Sequence, residues 1–265
     1  MKVTRPILAL LVVMALFGPA SADDEQQELT GRMIMEKVDR LGLADDEQVD
    51  LNLTTVRKDG FKQERSLTLY FKAGEERNDK ILVRFTKPAD LRGLGLLTHE
   101  RGKGSDQWLY LPDLRKAKRV AGASKSEPFV ETAFSNYDIR TEDLLNHEYK
   151  LAGEETLEGR PCYVVESRSK DAHTKDESGY SRRIIFVDKE RWTADRIRFY
   201  DMQEKPLKVL TNDDYVHMKG LWRAHRVVVK DVQQGSTTTA IYSKERKINA
   251  GLDDSRFSKR ELGHW

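Results

Sequence analysis

Cysteine is nearly missing from this 265-residue chain: Cys162 stands alone. That excludes an internal disulfide framework and any multi-cysteine metal cluster. Charge of one sign is missing too. The formal net charge is +2, and both excess cations, Lys2 and Arg5, lie in an N-terminal segment read below as removed. What remains balances 44 basic against 44 acidic residues, so no long-range basic field exists to gather nucleic acid or anionic membrane. Beyond residue 17 no apolar run approaches the roughly eighteen residues of a membrane-spanning helix. No Pro/Gly/Ser-rich linker or internal repeat divides the chain, so one domain over residues 23–265 is expected.

Catalytic signatures are equally sparse. There is no H-E-x-x-H, C-x-x-C or G-x-S-x-G. Ser167-Arg168-Ser169-Lys170 fits S-x-x-K, but the S-D-N and K-T-G partners of that nucleophile are missing. Gly102-Lys103-Gly104-Ser105 has the wrong spacing for a phosphate loop and reads as a hairpin turn. Asp213, Asp214, His217 and His225 could offer metal ligands, yet match no metal-site spacing and read as solvated turn residues. Arg182-Arg183 and Arg196/Arg198 are diluted by Glu177, Asp188 and Asp195 and read as charges on a wet strand face. An enzyme, a resident cofactor and a metal are therefore not expected.

What is present begins with an address. Lys2 and Arg5 precede an apolar run from Ile7 to Phe17, then Ala20-Ser21-Ala22 and an acidic stretch. This is the layout of a secretory signal peptide over residues 1–22. Its apolar run would rise only about 16 Å as a helix, half of a bilayer core. Cys162 lies far from the cleavage point, so no lipid anchor is expected there. Pro161 before it and Tyr163-Val164-Val165 after it place the thiol in a strand and buried.

Apolar residues over 28–41 recur at helical spacing (Leu29, Met33, Ile34, Val38, Leu41) and stop at Gly42. The period then changes to two. Val49, Leu51 and Leu53 form one alternating set; Leu67, Leu69 and Phe71 a second; Ile81, Val83 and Phe85 a third. Such alternation predicts a sheet with a dry and a wet face. Asp59-Gly60 predicts a hairpin, and Ala73–Glu76 a further turn. Strands are expected at 94–100, 106–111, 115–121, 147–156, 161–169, 180–188, 194–201, 205–212, 221–233 and 237–247. Helices are expected at Phe134–Leu145 and Asp253–Glu261. The class is α+β, mainly antiparallel, and a sheet of so many strands curls or closes.

The middle of the chain carries an ordered set of motifs. Phe85-Thr86-Lys87-Pro88-Ala89-Asp90-Leu91-Arg92-Gly93 is followed by Asp106-Gln107-Trp108-Leu109-Tyr110-Leu111-Pro112 and by Arg115-Lys116-Ala117-Lys118-Arg119-Val120. Phe134-Ser135-Asn136-Tyr137-Asp138 and Glu142-Asp143-Leu144 come next. Over about residues 30–262 this order resembles the LolA-like outer-membrane lipoprotein-sorting proteins, in particular an exported, unlipidated subgroup. It departs from them at Ala133-Phe134-Ser135-Asn136, where many members have Gly-Ser before a Phe/Tyr-Glu-Asp stretch.

The resemblance implies an incomplete, half-open β-barrel of about eleven strands whose concave side is plugged by helices. It also implies a periplasmic carrier of lipoprotein acyl chains or lipids, working beside an inner-membrane transporter. The candidate cavity residues are Leu51, Leu53, Leu67, Leu69, Phe71, Ile81, Val83 and Phe85, with Trp108 and Tyr110 of the aromatic motif added. The same inner face could instead be a filled core. A second reading is an accessory or substrate-binding module of an efflux or lipid-export transporter, acting through protein contacts.

Overall fold

The structure is a computed structural model and describes residues 28–102 and 104–263. The signal-peptide segment lies outside the described residues. Thr30 opens helix α1 (Gly31–Gly42): its hydroxyl accepts from the Met33 amide at 3.2 Å, satisfying one of the helix's orphan donors. The helix ends at the predicted glycine.

Alternation then takes over. Strands β1 (Asp46–Val56), β2 (Lys62–Lys72), β3 (Lys80–Lys87), β4 (Gly95–Glu100), β5 (Ser105–Leu111) and β6 (Lys116–Val120) form a meander. A long irregular segment, 121–146, separates them from β7 (His147–Leu157) and β8 (Arg160–Ser169). After the short helix α2 (Ala172–Ser178) come β9 (Arg182–Asp188), β10 (Ala194–Tyr200), β11 (Pro206–Met218), β12 (Leu221–Asp231), β13 (Ser236–Tyr242) and β14 (Lys247–Ile248).

One antiparallel sheet holds all fourteen described strands, in the order β6-β5-β4-β3-β2-β1-β13-β12-β11-β10-β9-β8-β7, with β14 also on β1. The pairing of β1 with β13 joins the two ends of the chain. Edges β6 and β7 remain unpaired with each other, so the sheet is an open, curled barrel. The three alternating sets and the ten further segments expected as strands each fall on a strand. The fourteenth, β14, pairs through only two residues, too few to leave a pattern. At the first turn Gly60 has φ +85°, the conformation that glycine adopts freely, and Asp59 accepts from the Phe61 amide at 3.0 Å.

Two sequence expectations about helices are corrected. Residues 134–145 are turns and bends, not a helix. Their side chains capture backbone groups that a helix would have used. Asp138 accepts from the Ser135 amide at 2.7 Å, and Asn136 donates to the Ser124 carbonyl at 3.1 Å. Residues 253–261 carry only a short 3₁₀ turn, Asp254–Phe257, with another at Glu261–Gly263.

The expected wet face is also corrected over part of the sheet. Leu252, Phe257 and Leu262 of the C-terminal tail lie on Tyr70, Leu82, Leu97, Trp108 and Tyr110. His99 meets the Phe257 carbonyl at 2.6 Å and Lys80 pairs with Asp254 at 2.7 Å. The convex side of β2–β5 therefore carries a second apolar layer.

Helix α1 lies over the opposite, concave side. Ile34 and Met35 are buried against Tyr149, Val165, Ile185 and Val187, filling the β7–β10 half. The approach is close: a Cβ on Gly31 would sit 2.6 Å from the Leu151 backbone nitrogen. Cys162 is fully buried with Val164 and Phe186, as the strand reading expected.

Candidate functional site

Over the β1–β3 half, the concave side is not filled by the helix. The inward phase of β1 is Glu47, Val49, Leu51, Leu53 and Thr55. Register aligns it with its neighbours. Val49 faces Leu69 and Leu51 faces Leu67; Leu69 faces Val83 and Phe71 faces Ile81. On the other flank Leu51 faces Tyr242 and Leu53 faces Ala240. These side chains bound a cavity of about 490 Å³, within the range of about 300–1,000 Å³ found for small-molecule sites.

The roof comes from two elements. Val38, Asp39 and Gly42 of α1 line one side, and Phe129, Phe134 and Ile139 of segment 121–146 line the other. Leu43, just beyond α1, lines the cavity while 48% exposed, so the cavity opens to solvent at this end.

Seven of the ten candidate residues lie on the wall: Leu51, Leu53, Leu67, Leu69, Phe71, Ile81 and Val83. Phe85 belongs to the same apolar cluster but packs on Phe129, ring centroids 5.6 Å apart, away from the open space. Trp108 and Tyr110 are misplaced by the sequence reading. Trp108 faces Leu97, which faces Leu82, which faces Tyr70. That phase points to the convex side, where the tail covers Trp108 down to 8% exposure. In β5 it is Leu109 and Leu111 that share the inward cluster.

Polar groups pin the roof. Arg77 pairs with Asp39 of α1 at 2.6 Å and also donates to the Glu142 carbonyl. Arg140 grips Glu100 at 2.7 Å. Burial pushes the Glu100 carboxyl up, and Arg140 offsets this only in part. Glu142 is paired with Arg183 at 2.7 Å and receives the Tyr149 hydroxyl. Burial pushes Glu142 up, but Arg183 outweighs it and leaves the carboxyl at about 2. Burial holds the nearby His147 below the usual histidine range, and Arg183 adds to the effect. Arg183 is thus a buried anchor, not the wet-face charge the sequence suggested. Arg182 does fit that expectation, pairing at the surface with Glu204.

Sequence reasoning missed Glu47, Arg223, Ala224, Val227, Ala240, Tyr242 and Arg246, all of which line the cavity. Extending the Val49–Leu53 phase back by two residues would have found Glu47. In β13 the signal misleads, because the larger aliphatic, Ile241, points outward at 37% exposure while small Ala240 points in. Among the described residues no three His, Cys, Asp or Glu side chains converge as a metal site. Asp213 pairs instead with Arg226, and His217 lies tilted against Trp222 with ring centroids 4.8 Å apart. No described helix is long and apolar enough to cross a membrane.

Comparison with known proteins agrees with this fold. A Vibrio parahaemolyticus domain named for outer membrane lipoprotein sorting is 26% identical, with a TM-score of 0.83, covering 88% of this chain and 98% of that one. A DUF1329 family protein from Desulfovibrio piger is 27% identical, with a TM-score of 0.82, covering 88% and 97%. A LolA superfamily protein from Nitrosomonas europaea shares the fold at 23% identity and a TM-score of 0.72, covering 88% and 99%. No curated protein matches the chain. A family model described only as that of an uncharacterized protein matches residues 77–264. The chain belongs to that family, and its open, curled sheet is the LolA-like lipoprotein-sorting fold.

Proposed function

We propose that this protein is a periplasmic carrier that shelters acyl chains of lipids or lipoproteins, taking them from an inner-membrane transporter, and that it performs no chemistry on them. The observation that carries this reading is the cavity itself: seven aliphatic or aromatic side chains from β1, β2 and β3 around about 490 Å³ that no described side chain fills. Each methylene transferred from water into such a space is worth about 0.8 kcal/mol, so a chain is held without any specific head-group contact. An exported address over residues 1–22 and the sorting-protein relatives support the compartment and the cargo class.

The test is binding of a fluorescent fatty acid to the processed protein, residues 23–265. Saturable binding, abolished by Leu69→Trp, is expected. Failure of the wild type to bind any acyl probe would return the concave face to the status of a loosely packed core, and the protein to a module acting through protein contacts.

A further inference from the structure

Charge is distributed unevenly along the cavity wall, and the unevenness carries information about the cargo. Of the charged side chains that line the cavity, Asp39 faces Arg77, Asp138 faces Lys208, Arg140 faces Glu100, and Glu142 faces Arg183. Each of these has at least one partner of opposite sign to itself. One place differs. Glu47 is shared by two guanidinium groups, Arg223 at 2.8 Å and Arg246 at 2.9 Å.

All three side chains are withdrawn from solvent: Glu47 and Arg223 are 9% and 15% exposed, and Arg246 is 6% exposed. Arg246 also donates to the Ala224 carbonyl and lies over the Tyr242 ring, and Arg223 donates to the Trp222 carbonyl. Among the described residues, however, Glu47 is the one carboxylate paired with the two cations, so the group carries one net positive charge in a partly dehydrated wall. Uncompensated charge in such surroundings is costly. A guanidinium is also the group best suited to a carboxylate or phosphate.

The position is as telling as the charge. Glu47 continues, on the same face of β1, into Val49, Leu51 and Leu53. At about 3.4 Å per residue, Glu47 and Leu53 are separated by about 20 Å along the strand. Leu43, partly exposed at the opening, lines the same cavity. The wall is therefore itself amphiphilic, cationic at one end and apolar along its length.

We infer that the cargo is an amphiphile with an anionic head, a carboxylate or a phosphate, seated on Arg223 and Arg246 while its chain lies along Val49, Leu51 and Leu53. This rests on the carrier reading and narrows it. A neutral acyl ester fills the apolar part and leaves the excess cation unanswered. An anionic head answers it through charge-assisted hydrogen bonds.

The experiment is displacement of a neutral fluorescent acyl ester from the processed protein by palmitic acid, by palmitoyl lysophosphatidic acid, and by hexadecanol, which has the same chain length and no charge. The acid and the lysophosphatidate should each displace the probe at concentrations about tenfold lower than the alcohol. Whichever of the two is stronger identifies carboxylate or phosphate as the head. Arg223→Gln and Arg246→Gln should erase this preference, bringing the acid and the lysophosphatidate to the same displacing concentration as hexadecanol. Glu47→Gln, which leaves both cations unanswered, should widen it, and the acid should then raise the variant's melting temperature more than the wild type's. Should wild type displace the probe equally well with acid and alcohol, or should Glu47→Gln fail to widen the preference, the anionic head is wrong and the carrier reading survives. Should the neutral probe itself not bind, the carrier reading falls and the inference with it.

Discussion

Leu69 and Trp108 lie three strands apart on opposite faces of the same sheet, and enlarging one or trimming the other should have opposite consequences. Leu69 borders open space. A Leu69→Trp side chain has room to enter it, so the melting temperature should stay close to wild type while acyl-probe binding is lost. In a filled core the same change would cost about 1–3 kcal/mol. Trp108 is packed between Leu82, Leu97 and the tail residues Phe257 and Leu262. Trp108→Ala should therefore cost about 3–5 kcal/mol and leave probe binding intact in the protein that remains folded. Chemical denaturation and probe titration on both variants check the pair; loss of binding in Trp108→Ala alone would put that residue back in the cavity. Glu142 makes a separate prediction. Its carboxyl sits at about 2, against an ordinary 4.5, because Arg183 overcomes the effect of burial. A depressed carboxylate contributes stability that is full above pH 4.5 and is lost as pH falls toward 2. Glu142→Gln should thus cost about 3 kcal/mol at neutral pH, and the gap to wild type should close across that acidic window. Melting curves from neutral pH to pH 2 decide it; a gap of constant size would show that the ion pair is not what Glu142 contributes.

At the scale of elements, α1 is both a core element and the wall of a cavity, and its first residue sets its distance from the sheet. Gly31 lies so near β7 that a Cβ would stand 2.6 Å from the Leu151 nitrogen and 2.6 Å from the Lys150 carbonyl carbon. A Gly31→Val substitution must lift the helix off β7, costing at least about 2 kcal/mol. It should also widen the cavity on the side of Val38 and Asp39, and probe off-rates should rise accordingly. Stopped-flow release of the probe measures this, and an unchanged rate would mean that α1 does not bound the cargo. The existence of α1 and its end at Gly42 were legible in the sequence, as were the strands that carry Leu51, Leu67 and Ile81, because period and turn chemistry are local. Segment 134–145 was not. Its apolar spacing is helical, but Asp138 and Asn136 take up its backbone groups, and Tyr180 and Gln107, more than 25 residues away, hold it at 2.7 and 2.9 Å. Trp108 was misassigned for a related reason. Alternation gives two faces without saying which is concave, and the convex cover over β5 comes from residues nearly 150 positions later.

Across the whole molecule, the sheet is long enough to curl but is left open between β6 and β7, and each exposed edge is guarded. Lys116, Lys118 and Arg119 are exposed on β6, and β7 carries a register shift between Leu151 and Gly153; edge charges and bulges both oppose pairing with another chain. The concave side is divided in two. Helix α1 fills it over β7–β10, and space remains over β1–β3, bounded by the cationic Glu47, Arg223 and Arg246 group at its open end. The division would explain why one sheet supports both a stable core and a binding space: the folding energy comes from the filled half and from the tail-covered convex face. The central claim is that the remaining space holds acyl cargo. Native mass spectrometry of the protein isolated from a periplasmic extract, wild type beside Leu69→Trp, tests it most directly. The account predicts an adduct with the mass and fragmentation of an acyl lipid on the wild type and its loss from the equally folded Leu69→Trp variant; a wild type that flies at its bare polypeptide mass and acquires no adduct when acyl lipid is added would contradict it.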